Sequence, residues 1–183
     1  MKDKKIYKIL DLGSGNTKIK GSIGMDMLNL PNVDVVHDFN IFPYPFEDNY
    51  FKKIVCFNSL EHVESVISVL KELHRISKNQ AIIHIESPHF SSCDYFTDPT
   101  HKHPFTSRSF DYFIKGTQLY DLSYDNGITF SRKKIKITFY NRIINYSFGQ
   151  LINLSPKTQL IYERYFAFII PAHQIIFDLE AIK

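Results

Sequence analysis

Residues 6–26 read Ile-Tyr-Lys-Ile-Leu-Asp-Leu-Gly-Ser-Gly-Asn-Thr-Lys-Ile-Lys-Gly-Ser-Ile-Gly-Met-Asp, and this stretch decides the fold. Ile6 to Leu12 is a short apolar run that reads as a buried strand and stops at the glycine pair Gly13 and Gly15. Glycine allows a tight turn and lets a ligand approach the backbone with no Cβ in the way. Ile19 to Asp26 reads as a second strand. Parallel neighbours ordinarily need a crossover of about a dozen residues or more, usually a helix. Only Asn16 to Ser22 is available, so the first helix is missing or reduced to a turn. Dinucleotide-binding turns want a third glycine, a phosphate-binding helix and an acid about 20 residues on. Here the third position is Thr17 and there is no room for the helix, which disfavours a dinucleotide-dependent dehydrogenase.

Working outward, Val33 to Val36 reads as a third short strand, and Phe42 to Asp48 as a loop whose Pro43 and Pro45 prevent a helix. Lys53 to Phe57 is a fourth strand. From Ser65 to Ser77, apolar residues at Val66, Ile67, Val69, Leu70, Leu73 and Ile76 follow a helical period, ending at Lys78-Asn79. Ala81 to Ile85 is a nearly all-apolar fifth strand, a run typical of parallel sheets covered on both faces. From Pro88 to about Tyr120 the pattern breaks up, with a short helix predicted over Ser107 to Lys115, capped by Ser107. Lys134 to Tyr140 alternates like a half-exposed strand. Residues 155–168 read as a helix, with Ser155 as cap and Pro156 at its first position, and His173 to Ile182 as a last strand. Such alternation predicts a doubly wound α/β sheet with ligands at the carboxyl ends of its strands.

The chain of 183 residues suits one domain, 1–183, and its 44% hydrophobic and 22% charged residues suit an ordinary core. The net charge of +3 is spread over scattered lysines, so no nucleic-acid partner is expected. Cys56 and Cys93 make neither a disulfide framework nor a zinc site and fit a reducing cytoplasm. The apolar stretch after the charged Met1 to Lys5 is short and ends in Asp11 and Gly13, so no signal peptide is read. No run of 18 apolar residues predicts a membrane span. The lean towards Lys, Ile, Asn, Phe and Tyr, with no Trp, points to an AT-rich genome.

Two carboxylates extend the glycine turn. Asp26 ends the second strand, where a carboxylate can accept both hydroxyls of a ribose. Asp38 follows the third strand and is placed to take an amino group of a base; a solvated loop residue is the plainer reading of each. With Pro45-Phe46-Glu47-Asp48-Asn49-Tyr50-Phe51 and Ser59-Leu60-Glu61-His62-Val63, these segments resemble class I S-adenosylmethionine-dependent methyltransferases, closest to small bacterial ones with a shortened first crossover. The likeness runs over roughly residues 6–90, and Phe177 to Lys183 is similar to the final strand of that fold. It implies a Rossmann-like, mostly parallel seven-stranded sheet with an antiparallel last strand, and S-adenosylmethionine as cofactor. Asp11, Gly13 and Gly15, with Ser14, would line its methionine part. Asp26, beside Met27, would hold the ribose, Asp38 or Phe39 the adenine, and Asn58 and Ser59 the amino-acid end. The sequence departs from the pattern at Thr17 and at Lys52, where relatives usually have Asp.

Methyl transfer to a hydroxyl wants a base near neutral pKa, which makes histidine the natural choice. His89 sits just past the fifth strand, and His101 and His103 in Thr97-Asp98-Pro99-Thr100-His101-Lys102-His103. Similar stretches cover the acceptor pocket in the methyltransferases this chain resembles, which implies an acceptor-covering insertion over 88–120. His101, His89 and His103 are the candidate bases. Phe90, Tyr95, Phe96, Phe105, Phe110, Tyr112 and Phe113 either shield a substrate or form a local core. His101-x-His103 with Asp98 offers ligand types for a cation; Glu61-His62 resembles part of an acidic-histidine metal set in ubiquinone-type O-methyltransferases, whose first acid is here Asn58, or else reads as a helix start, and no metal is expected. The expected reaction is O-methylation of a small molecule such as a sugar or surface-glycan intermediate or a secondary metabolite. N-methylation, an RNA or protein acceptor, and a non-catalytic cofactor-binding module are the alternatives.

Overall fold

The computed structural model describes residues 8–122 and 127–183. Seven strands, β1 (Ile9–Leu12), β2 (Ile23–Asp26), β3 (Val35–Val36), β4 (Phe51–Phe57), β5 (Ser77–Pro88), β6 (Thr129–Ile137) and β7 (Gln174–Ile182), form one sheet in the order β3-β2-β1-β4-β5-β7-β6. β7 runs antiparallel to β5 and β6, and the other pairs are parallel. Helix α1 (Val66–Ile76) follows β4, α2 (Cys93–Thr97) follows β5, and α3 (Arg142–Tyr146), α4 (Phe148–Ile152) and α5 (Pro156–Tyr165) lie between β6 and β7. Among the described residues no helix separates β1 from β2, β2 from β3 or β3 from β4. None is long and apolar enough to cross a membrane.

The two-residue period of a strand sorts its side chains onto two faces. One face is apolar and closed: Leu10 and Leu12 stand level with Ile54 and Cys56, then Ile83 and Ile85, then Leu179 and Phe177. All eight are fully buried. α1 adds Val69, Leu70, Leu73 and Ile76 to this core. Its start is fixed by Ser65, whose hydroxyl accepts the Ser68 N–H, and its last turn carries His74 and Arg75 towards the negative end of the helix. Truncating one of these residues, as in Leu70→Ala, would cost about 2–5 kcal/mol.

The other face is only partly open, since Asp11 and Val55 are buried on it. Lys53, His84, Glu86 and Asp178 lie along it, none of them buried, and Phe57 is 41% exposed in the middle of the sheet. β5 is therefore not the strand covered on both faces that its apolar run predicts: His84 and Glu86 face water there.

Several expected boundaries move. The predicted start of β1 at Ile6 lies outside the described residues. The second strand begins at Ile23, because residues 19–22 close a turn through Ser22 N–H to Ile19 O. No Lys78-Asn79 break separates α1 from β5, since Ser77 both caps the helix and opens the strand. The helix expected over Ser107 to Lys115 is reduced to a 3₁₀ turn at Asp111–Phe113. Ser107 does not cap it; its N–H and hydroxyl go instead to Glu163, at 2.6 and 2.8 Å. β6 begins five residues before the expected Lys134 and stops at Ile137, with a register shift between Arg132 and Lys134 that breaks its alternation. The helix expected to reach 168 ends at Tyr165, although Ser155 and Pro156 open it as read, in a capping box with Thr158.

Candidate active site

The carboxyl ends of β1, β2 and β4 meet where the strand order reverses, between β1 and β4. A cavity of about 720 Å³ opens there. Its floor is the glycine turn. Gly13 has φ +78° and donates its N–H to Met25 O at 2.9 Å. A Cβ on it would stand 2.7 Å from Ser59 Cβ, so only glycine brings the backbone this close to the end of β4. Ser59 in turn donates its hydroxyl to Leu12 O at 3.1 Å, pinning the two strand ends together.

Asp26 accepts the Gly15 N–H on Oδ2 at 2.9 Å and the Leu28 N–H on Oδ1 at 3.0 Å. Each carboxylate oxygen keeps further acceptor capacity towards the cavity. Asp11 is buried below the turn, where its Oδ2 accepts the Ile19 N–H at 2.7 Å and so anchors the segment that replaces a crossover helix. Burial raises its pKa, opposed by that hydrogen bond and by Lys18. Asp38 Oδ1 accepts from Asn40 N and Nδ2, and Tyr44 donates its hydroxyl to Phe39 O, which fixes the loop after β3.

Of the ten residues expected at the cofactor, Gly13, Asp26, Met27, Asp38, Phe39, Asn58 and Ser59 line this cavity. Asp11, Ser14 and Gly15 do not; they lie behind it and shape the turn. The sequence reading missed Leu28, Asn40, Val63 and Glu64, and from further along the chain Thr100 and Lys102.

The loop carrying Thr100 and Lys102 is strapped to the turn Leu60–His62. Lys102 and His103 both donate backbone N–H groups to Glu61 O, at 2.7 and 3.3 Å, and His103 bonds Val63 O through Nε2. His62 Nδ1 lies 2.9 Å from Thr100 Oγ1, whose own proton goes to Asp98 Oδ1 at 2.7 Å. His101 Nδ1 lies 2.9 Å from Tyr95 O, and its ring stands 4.6 Å from that of His62. The Glu61 side chain is fully buried beside them, and neither of its oxygens has a hydrogen-bond partner. Burial holds its pKa above the ordinary carboxylate value, opposed in part by its own backbone N–H and by the Ser87 hydroxyl, which faces it without closing a full bond.

The three expected histidines therefore separate. His101 joins Glu61 and His62, of which His62 lines the cavity and the other two stand behind it. His103 is spent on Val63. His89 is fully buried, 2.9 Å from Ser91 Oγ and 3.3 Å from Glu163 Oε1, and does not line the cavity. Nothing local in the sequence signals that residues 61 and 101 meet.

The strand order with its antiparallel β7, and a glycine turn opening on a cavity at the switch point, define the class I S-adenosylmethionine-dependent methyltransferase fold. Residues 26–85 match the family model described as a methyltransferase domain. It is similar to a SAM-dependent methyltransferase of Archaeoglobus fulgidus, at 17% identity and TM-score 0.59 over 96% of this chain and 88% of that one. It is also similar to the YcgJ protein of Bacillus subtilis (12%, TM-score 0.57, 97% and 92%) and to an S-adenosylmethionine-dependent methyltransferase of Mesorhizobium loti (11%, TM-score 0.54, 94% and 90%). No curated protein matches the sequence. The residues present fit the cofactor of this class: Gly13 leaves open the space a side chain would fill, and Asp26 keeps acceptor capacity at the cavity.

Proposed function

We propose that this chain transfers a methyl group to a hydroxyl of a small molecule, a sugar or surface-glycan intermediate or a secondary metabolite. S-adenosylmethionine, when bound, supplies a methyl group on a sulfonium. Gly13, Asn58 and Ser59 hold its amino-acid end, Asp26 its ribose, and Phe39, Met27 and Asp38 its base. Asp11, Ser14 and Gly15 act one step back, by setting the turn. Met27, 58% exposed, and Phe39 offer the apolar surface a base would cover. The loop from 88 to 120 covers the acceptor within a single domain, 1–183.

The observation that carries this reading is the histidine–carboxylate group of Glu61, His62 and His101, which reaches the cavity through His62. An amine acceptor needs less help in losing its proton than a hydroxyl does. We assign His101 to activation of the acceptor, and His89 and His103 to holding the loop. Two free cysteines, Cys56 buried and Cys93 exposed, suit a reducing bacterial cytoplasm. The test is release of S-adenosylhomocysteine with panels of hydroxyl and amine acceptors. Turnover confined to hydroxyl acceptors supports the reading, and turnover confined to amines or RNA overturns it.

A further inference from the structure

Glu61 presents a problem of physical chemistry. A fully buried carboxylate with no hydrogen-bond donor is costly, and such groups are found paired, neutral or on a metal. The Ser87 hydroxyl faces it without closing a full bond, and the two nearby histidines direct their Nδ1 atoms elsewhere. Tyr95 O accepts only, so His101 Nδ1 carries the proton there and Nε2 is the nitrogen left to serve as a ligand. Thr100 Oγ1 has given its proton to Asp98, so it too accepts, from His62 Nδ1. Both imidazoles are thus fixed in one tautomer by their outer nitrogen, as metal-bound histidines characteristically are. One ligand atom from each of Glu61, His62 and His101 lies within 4.8 Å of the others. Ligands bound about 2.0–2.2 Å from a zinc ion stand roughly 3–4 Å apart, a small side-chain rotation away.

We infer that Glu61, His62 and His101 bind a first-row divalent cation beside the cofactor cavity. Two histidines and one carboxylate leave coordination positions open. Asp98, with Oδ2 3.9 Å from His101 Nε2, adds a second negative charge at the rim, and Thr100 and His62 border the way in from the cavity. The ammonium of Lys102, on the same loop, is held by Glu64 at 2.6 Å. The set takes one part from each of the two candidates in the sequence, Glu61-His62 and His101: His103 Nε2 bonds Val63 O, and Asn58 is no acid. Use of the cation rests on the methyl-transfer reading. An acceptor oxygen on such an ion loses its proton to water more readily, and His101 then serves as a ligand and not as a free base.

Calorimetry of the full chain, stripped with a chelator and titrated separately with Zn²⁺, Mn²⁺ and S-adenosylhomocysteine, tests this. One equivalent of Zn²⁺ or Mn²⁺ is expected on the wild type, weakened at least tenfold in Glu61→Gln and in His101→Gln, with S-adenosylhomocysteine binding kept. If Glu61→Gln fails to fold, His62→Gln and His101→Gln decide. No metal binding by the wild type, or variants that bind metal as the wild type does, overturns the site; that result with S-adenosylhomocysteine still bound leaves the methyltransferase reading standing. Metal binding without S-adenosylhomocysteine binding sinks the methyl-transfer reading and keeps the site.

Discussion

The carboxylate of Asp26 accepts the N–H of Gly15 at 2.9 Å, so the last residue of β2 holds the turn that follows β1. One side chain therefore shapes the cavity floor and lines the cavity. Asp26→Asn keeps the shape and loses the charge. Hydrogen bonds to charged groups contribute about 1.5–3 kcal/mol. S-adenosylhomocysteine affinity is expected to fall on the order of 10–100-fold, with the melting temperature shifted by only a few degrees. Calorimetry beside a thermal melt checks this, and unchanged affinity would refute the ribose assignment.

Gly13→Ala attacks the same floor sterically. It places a Cβ 2.7 Å from Ser59 Cβ at a φ of +78°. A left-handed conformation alone costs a non-glycine residue about 1–2 kcal/mol. Lower stability in urea and loss of cofactor binding are expected together, whereas Gly15→Ala, which meets no atom within 4 Å, should show mainly the conformational cost.

His89 and His101 should separate in their effects. His89→Ala empties a buried site and strips a partner from Glu163, so destabilisation of about 2–4 kcal/mol is expected, with turnover per folded molecule largely kept. His101→Ala is expected to lower kcat per folded molecule by about 100-fold or more, beyond any loss of stability from its contacts with Tyr95. The opposite pattern would return the acceptor chemistry to His89.

His84 gives a pH signature away from the cavity. Glu86 and Asp178 flank it on the open sheet face, Asp178 at 2.6 Å, with the Phe57 ring beside it, and the two carboxylates raise its pKa against the opposing effect of burial. A histidine whose folded pKa is raised stabilises fully below its unfolded value of about 6.5 and loses that contribution as pH rises through the folded value. Urea midpoints should therefore fall between pH 6 and pH 9, and His84→Gln should flatten that fall.

The early half of the chain was legible because its signals are local. Gly13, Gly15 and Asp26 sit within one short stretch, and the missing crossover helix could be counted from Asn16 to Ser22. The capped start at Ser155-Pro156 was readable for the same reason. What could not be read depends on distant partners. Ser107 looked like a helix cap until Glu163, 56 residues on, took both its donors. β6 hid behind a register shift set by β7. His89 looked catalytic from its place after β5, yet Glu163 and Ser91 occupy both of its nitrogens.

The open face of the sheet bears on how this sequence can drift. Along β4 and β5, Ile54, Cys56, Ile83 and Ile85 are hemmed in by core and Val55 is buried on the far face, while Lys53, Phe57, His84 and Glu86 meet water, with His84 also paired to Asp178. Alternate positions of the same strands thus live under different rules: one set tolerates little beyond exchange among apolar residues of similar volume, the other accepts charge. A family of such chains would keep every second residue and let the others wander, and its divergence would run along one side of the sheet.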